Sequence, residues 1–207
     1  MPTQIEALSP SAGWEEIRQW RKLVRNELLE RRTTLSVEAL RAFSERACAQ
    51  LLRAVDLRKY KVLGFCWPIR GEFDVRGIAK QHLANGGQVA LPVIVQKSAP
   101  VEFWSWSPGM PMQKGIWDIP TPKERNVLTL DAVLVPLVGF DKSGFRLGYG
   151  GGYFDRTLAA VARRPFAIGL GYEESSLQTI YPQPHDIPMD LIATDQSVHR
   201  RHPAEGC

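Results

Sequence analysis

Four glycines fall within five positions in the run Gly148-Tyr149-Gly150-Gly151-Gly152. Arg146 stands two residues before this run and Asp155 three residues after it. Glycine admits positive φ and lets a ligand approach the backbone closely. Successive N–H groups in such a turn make a concavity for an anion, and a helix start just beyond adds partial positive charge. The guanidinium of Arg146 offers a fork to phosphate oxygens. One carboxylate beside a polyphosphate, the place Asp155 would take, is the common protein share of a Mg²⁺ site. The chemistry suggested is phosphate binding. No Gly-Lys-Ser/Thr follows, so the run is not a P-loop, and Tyr153 occupies the third glycine's place in a dinucleotide fingerprint. The plain alternative, a solvent loop, leaves the placing of Arg146 and Asp155 without a reason.

Two further sets of residues bear on chemistry. Arg18, Arg21, Lys22, Arg25 and Arg32 fall on one stripe of a first helix, with Arg21 and Arg25 bordering its apolar side. Cations at that edge can reach inward to a site; the alternative is a solvated face with snorkelling stems. Carboxylates also follow strand-like runs: Glu72 and Asp74 after Trp67, Asp141 after Val135, Glu173 and Glu174 after Leu170, and then Asp186. In a chain of net charge +4, acidic residues gathered there suggest a metal or a cationic substrate group.

The elements that must position these residues can be read from periodicity. Ile17, Trp20, Val24 and Leu28 lie within about 80° of one another at helical pitch, which predicts a helix over 14–32. Ser36 is a suitable N-cap for a second helix carrying Leu40, Phe43, Ala47 and Leu51. Short apolar runs follow at 62–67, 89–93, 132–135 and 166–170, with helical stretches at 75–85 and 153–163 between them. Residues 101–106 read as an edge or antiparallel strand, with at least half of Phe103, Trp104 and Trp106 in the core. This alternation predicts an α/β fold: a three-layer α/β/α sandwich with a mostly parallel sheet. Ligands in such folds sit beyond the carboxyl ends of the strands.

At 207 residues, one domain is expected, over 14–196, with 1–13 and 197–207 as loose terminal segments. His199-Arg200-Arg201-His202 then reads as a solvated basic end. Apolar runs reach about six residues, far below the ~20 of a membrane helix. No secretory signal pattern is visible. The three cysteines, Cys48, Cys66 and Cys207, have no motif spacing; this suggests a reducing compartment and a cytoplasmic protein, with Cys66 as a core residue. A monomer is expected, since no long heptad pattern demands a partner. The positive charge and six tryptophans raise RNA binding as a rival, but no RNA motif is present. A sugar-phosphate isomerase would share the fold class without binding ATP.

The segment Phe140-Asp141 followed by Gly144-Phe145-Arg146-Leu147-Gly148-Tyr149-Gly150-Gly151-Gly152-Tyr153-Phe154-Asp155 resembles the signature of the 5-formyltetrahydrofolate cyclo-ligases. Further resemblance lies in Arg21-Lys22-Leu23-Val24-Arg25, in Arg32 and Leu35-Ser36, in Trp67 through Gly71-Glu72, in Trp117-Asp118-Ile119-Pro120, and in His185-Asp186. It spans about residues 18 to 195, with Arg21 where the family carries Lys. The resemblance implies a three-layer α/β sandwich that closes 5-formyltetrahydrofolate to 5,10-methenyltetrahydrofolate with ATP and Mg²⁺. The small molecules would be its partners; nucleic acid and membrane would not.

Carried over by motif, Arg21 or Lys22, with Arg25, Arg146, Leu147, Gly148, Tyr149, Gly150, Gly151, Gly152 and Tyr153, would bind ATP. Trp67, Glu72, Trp117 and Tyr153 would contact the folate. Asp155 and Asp186 would serve the metal, and Arg146 and Asp155 would be catalytic. Replacing Arg146 or Asp155 by Ala is expected to abolish product formation and leave the fold intact. The rival within the same fold is a folate- or nucleotide-binding regulator without turnover.

Overall fold

The computed structural model describes residues 5–9 and 11–201. Two long helices come first, α1 (Trp14–Thr33) and α2 (Val37–Ala54). The stripe of α1 is buried as its spacing predicts. The Ser36 hydroxyl caps α2 by accepting from the Ala39 N–H, which satisfies one orphan amide of the first turn. Next come β1 (Val62–Phe65), α3 (Arg76–Ala84), β2 (Gln88–Val93) and β3 (Glu102–Ser105). A two-stranded ribbon follows, β4 (Met112–Lys114) with β5 (Pro120–Pro122). The chain continues through β6 (Ala132–Pro136), β7 (Gly139–Asp141), β8 (Arg146–Leu147), α4 (Tyr153–Ala160) and β9 (Phe166–Leu170). It ends with β10 (Ser176–Leu177), β11 (Leu191–Ala193) and β12 (Val198–Arg200).

Seven strands form the main sheet in the order β12-β11-β9-β6-β1-β2-β3. The five inner strands are mutually parallel, and β3 and β12 run antiparallel at the two edges. The inner strands alternate between two apolar faces. Leu63, Phe65, Leu134, Ile168 and Leu191 pack on one face with Ala47 and Leu51 of α2 and Ile78 of α3. Val62, Val133, Val135 and Ile192 pack on the other with Leu158 of α4. The mostly parallel α/β architecture is thus the predicted one. Phe103, Trp104 and Trp106 are all buried.

The second layer holds something the periodicity did not show. A small sheet, β10-β7-β8, sits beside α4, and α1 packs on it through Trp20, Val24 and Leu28 against Val138, Leu147 and Leu177. The helix that carries the basic stripe therefore lies against the strand leading into the glycine turn.

Three expectations need correction. Helix α4 ends at Ala160, not at 163: Val161 is extended, and the chain runs on to Pro165 and the start of β9. The terminal segment after 197 is not loose where it is described, because β12 pairs with β11. His199 there approaches Glu173 at 3.2 Å and Ser197 at 2.9 Å, so it is not a solvated basic end; His202 and Cys207 lie outside the described residues. At the other end, Ile5 and Leu8 pack on the α1 cluster. The Leu8 N–H donates to the Tyr181 hydroxyl at 2.6 Å, and the Trp20 indole donates to the Glu6 carbonyl at 2.9 Å.

Gly64 in β1 marks how tightly the sheet is covered. A Cβ there would come within 2.5 Å of a Leu130 methyl and 3.1 Å of both Phe103 and Val133. Gly64→Ala should lose about 1–3 kcal/mol in urea unfolding, although alanine suits a strand better than glycine in the abstract.

Candidate active site

The carboxyl ends of β1 and β6 open onto the glycine turn, as the fold class requires. The turn connects β8 to α4 and uses positive φ at Gly150 (90°) and Gly152 (62°), angles that L side chains resist. Among the described residues, none of the backbone N–H groups from 149 to 155 donates to a protein acceptor. The first turn of α4 has no side-chain cap.

Two guanidinium groups hold the turn by its carbonyls. Arg25 Nε donates to the Gly148 carbonyl at 2.7 Å, and a Cβ on Gly150 would lie 3.4 Å from the Arg25 Cζ. Arg156 donates to the Gly151 carbonyl and lies over the Tyr153 ring at 5.1 Å. The role of Arg156 was not foreseen from sequence; its place in the first turn of α4, next to Asp155, is the signal that could have found it.

The terminal nitrogens of Arg25 have no protein partner among the described residues. Burial, and then the nearby charge of Arg21, push its pKa down. A half-buried cation without a counter-ion, set beside open amides, attracts an anion. Lys22, one turn earlier on the same side of α1, is exposed.

Arg21, expected to hold phosphate, does other work. It is buried, and Nε donates to the Ile180 carbonyl at 2.8 Å. Its Nη2 donates to the Tyr181 carbonyl at 2.8 Å and to Asp186 Oδ2 at 2.6 Å. With those bonds made, Lys22 and Arg25 are the cations of this helix left for a ligand. Asp186, expected as a metal ligand, is the counter-ion of Arg21, and its Oδ2 also accepts from the Gln183 N–H at 2.7 Å. Burial pushes the Asp186 pKa up, but the bonds from Arg21 and Gln183 outweigh it and hold the carboxyl below its ordinary value.

Arg146 is likewise inside, with its side chain 5 % exposed. Its guanidinium pairs with Asp155 Oδ1 at 2.9 Å and donates to the Ile187 carbonyl at 2.7 Å. Burial lowers its pKa and the pairing with Asp155 opposes this. Asp155 Oδ1 also accepts from the Ile187 N–H at 3.0 Å, while Oδ2 has no protein partner among the described residues. Arg146 is therefore a clamp that fixes Asp155 at the start of α4, not an exposed phosphate fork. The side chain of Leu147, another expected nucleotide contact, is buried in the α1 cluster.

On the side toward β1, Glu72 is 6 % exposed. Its Oε1 accepts from the Tyr149 hydroxyl at 2.7 Å and its Oε2 from the Ile69 N–H at 3.1 Å. Trp67, on the same loop, packs its ring 6.2 Å from Trp106 and beneath Arg76 at 5.2 Å. Trp117 is 68 % exposed and has φ 58°, a strained angle for a bulky residue. It meets Tyr153 edge-on at 6.0 Å. The glycine turn thus brings Arg25, Asp155, Tyr153, Trp117 and Glu72 to one corner. Of the other carboxylates that follow strands, Asp74 pairs with Arg76, Asp141 accepts backbone N–H groups, and Glu173 faces His199. Among the described residues no three His, Cys, Asp or Glu side chains cluster as a metal site. Cys48 and Cys66 are free.

The site is thus a mostly parallel α/β sheet that carries at its carboxyl edge a turn of open amides beside Arg25 and an exposed Trp117 ring. The 5-formyltetrahydrofolate cyclo-ligase family model matches residues 17–195, and the chain belongs to that family of enzymes. It is 28 % identical over 179 residues to the 5-formyltetrahydrofolate cyclo-ligase of Haemophilus influenzae, covering 83 % of this chain and 95 % of that one. The NMR structure of Aquifex aeolicus 5,10-methenyltetrahydrofolate synthetase superposes with a TM-score of 0.77 at 27 % identity, covering 90 % of this chain and 95 % of that one. The Mycoplasma pneumoniae 5,10-methenyltetrahydrofolate synthetase gives 0.69 at 25 %, covering 85 % and 99 %. No helix among the described residues is long and apolar enough to cross a membrane.

Two measurements follow from the ion pairs. Removing Arg146 strands the half-buried Asp155 carboxylate and the Ile187 carbonyl, at about 1–3 kcal/mol. Arg146→Ala should therefore lower the thermal midpoint of the ligand-free protein by several degrees, a loss of stability beyond any loss of activity. Asp186 has a depressed folded pKa, so the stability it adds is full above its unfolded value near 4 and fades as pH falls through the folded value. The advantage of wild type over Asp186→Asn in urea unfolding should shrink below about pH 4; a constant difference would contradict the pairing.

Proposed function

We propose that the chain closes 5-formyltetrahydrofolate to 5,10-methenyltetrahydrofolate while splitting ATP to ADP and phosphate, with Mg²⁺. The observation that carries this reading is the pairing of Arg25 with seven consecutive unoccupied amides, set between the Trp117–Tyr153 rings and the buried Glu72. The first half suits a polyphosphate and the second a flat, amide-bearing ring system.

An N-formyl oxygen is a poor leaving group. Attack of that oxygen on the γ-phosphorus of ATP, with loss of ADP, turns it into a phosphate ester. N10 then attacks the formyl carbon, phosphate departs with the oxygen, and the N10 proton is lost as the ring closes. No side-chain nucleophile is needed. The protein's share is orientation and charge neutralisation. Arg25, Lys22 and the amides of the turn would hold the phosphates against the substrate oxygen. Glu72, with acceptor capacity left on both oxygens, would take N–H groups of the pterin. Tyr153 and Trp117 would pack on the ring.

Asp155 fits a Mg²⁺ that keeps substrate phosphates and water as its other ligands, because Oδ2 is free. Asp186 does not fit, since both its oxygens are engaged by Arg21. Bound there, the ion would neutralise phosphate charge as it develops. The other expectations for this chain, a monomer acting in the cytoplasm, are compatible with the same reading.

Incubation of the purified chain with folinate, ATP and Mg²⁺ should produce the methenyl absorbance; no product with either nucleotide or folate bound would favour a non-catalytic binder. Arg25→Ala should raise the KM for ATP about 10–100-fold, the cost of one charge-assisted contact. An unchanged KM would remove Arg25 from the phosphate site.

A further inference from the structure

Arg32 and Glu72 are both buried, and neither makes an ion pair with the other or with another side chain among the described residues. A phenol stands between them. Arg32 Nη2 donates to the Tyr149 oxygen at 2.6 Å, and the Tyr149 hydroxyl donates onward to Glu72 Oε1 at 2.7 Å. Arg32 also donates to the Arg70 carbonyl at 2.8 Å and the Leu137 carbonyl at 3.0 Å, so it joins the loops after β1 and β6. Its stem fills the space above Gly71, where a Cβ would come within 3.0 Å. Tyr149 is the residue of the glycine turn that enters this network: its ring is partly open to solvent, like Gly150 and Gly151 beside it, while its hydroxyl reaches inward to the two charges.

We propose that the Tyr149 hydroxyl is a positioning group for the reaction, bridging the buried charges of Arg32 and Glu72 and so tying the glycine turn to the ionised form of the Glu72 carboxylate. The proposal rests on the functional reading above, in which the turn takes the nucleotide and Glu72 takes the pterin. With Glu72 ionised, the phenol has an acceptor on one side and a donor on the other, and the turn is held over the β1 loop. With Glu72 protonated, the carboxyl loses charge, and its attraction for the Arg32–Tyr149 pair weakens. The substrate carboxylate acceptor and the fixed turn are then lost together.

The groups facing Glu72 set the direction of a test. Arg32 comes from α1, Arg70 from its own loop, Tyr149 from the glycine turn, Cys66 from the end of β1 and Tyr172 from the segment after β9. Burial pushes the Glu72 pKa up, and the Tyr149 hydroxyl, the Ile69 N–H and the two arginines oppose it. Removing the hydroxyl alone therefore favours the protonated carboxyl.

The experiment compares the full-length chain with Tyr149→Phe and Glu72→Gln. The ring of Tyr149, which stacks under Arg32 and Arg70 at 5.8 and 5.9 Å, is kept in the first variant. In difference infrared titration without ligands, wild type should show a buried carboxyl band that is absent in Glu72→Gln. In Tyr149→Phe its midpoint should rise by about one pH unit or more. The acid limb of kcat/KM for folinate should rise by the same amount. An infrared midpoint that does not move in Tyr149→Phe overturns the proposal. So does a uniform loss of kcat/KM at all pH values. The expected infrared shift in Tyr149→Phe, together with wild-type protein that never makes product, would instead contradict the functional reading and leave the bridge in place.

Discussion

The site depends on how two guanidiniums hold a stretch of backbone that has almost no side chains. Arg25 binds the Gly148 carbonyl and Arg156 binds the Gly151 carbonyl. Carbonyls engaged from the protein side leave the intervening amides without acceptors, which is the condition for an anion to bind there. Glycine is required at Gly150 and Gly152 because their φ angles are positive. The turn is thus a flexible sequence given one shape by cations on two different helices. The small sheet β10-β7-β8 matters for the same reason, because it is the surface on which α1 rests and so sets where Arg25 arrives.

The basic stripe of α1 divides by burial into two kinds of work. Arg21 and Arg32 are buried and bind protein carbonyls, a carboxylate and a phenol. Such contacts pin the segments 180–186 and 70–72 and the turn residue Tyr149. Arg25 and Lys22 are left with unspent hydrogen-bonding capacity. The same division separates the acids: Asp186 neutralises Arg21, while Asp155, held on one oxygen by Arg146 and Ile187, presents the other. A basic chain with its charges arranged this way attracts anions to one corner instead of over a whole face.

Much of this was legible in the residues. Period-3.6 stripes and short apolar runs are direct consequences of burial on one helix face or in a two-sided sheet, and they located α1, α2 and four of the five inner strands; β11, three residues long, was not among them. The glycine turn was legible because glycine density has few other uses next to Arg146 and Asp155. Pairings between distant segments were not. Nothing local in Arg21 distinguishes a phosphate ligand from a partner for Asp186, 165 residues away. Arg146 looked exposed because arginine usually is, whereas its pairing with Asp155 and Ile187 takes it inside. The pairing of β12 with β11 escaped for a related reason: a three-residue strand carries too little pattern, and its stability comes from the neighbour.

The most direct test is amide-resolved NMR of the full-length protein titrated with a non-hydrolysable ATP analogue and Mg²⁺. The account predicts that the amide signals of residues 149 to 155 and the Arg25 Nε–H shift together with one affinity, while amides at the amino ends of the inner strands stay in place. Tight binding of the analogue with no change at these amides, or with shifts confined to another face, would contradict it.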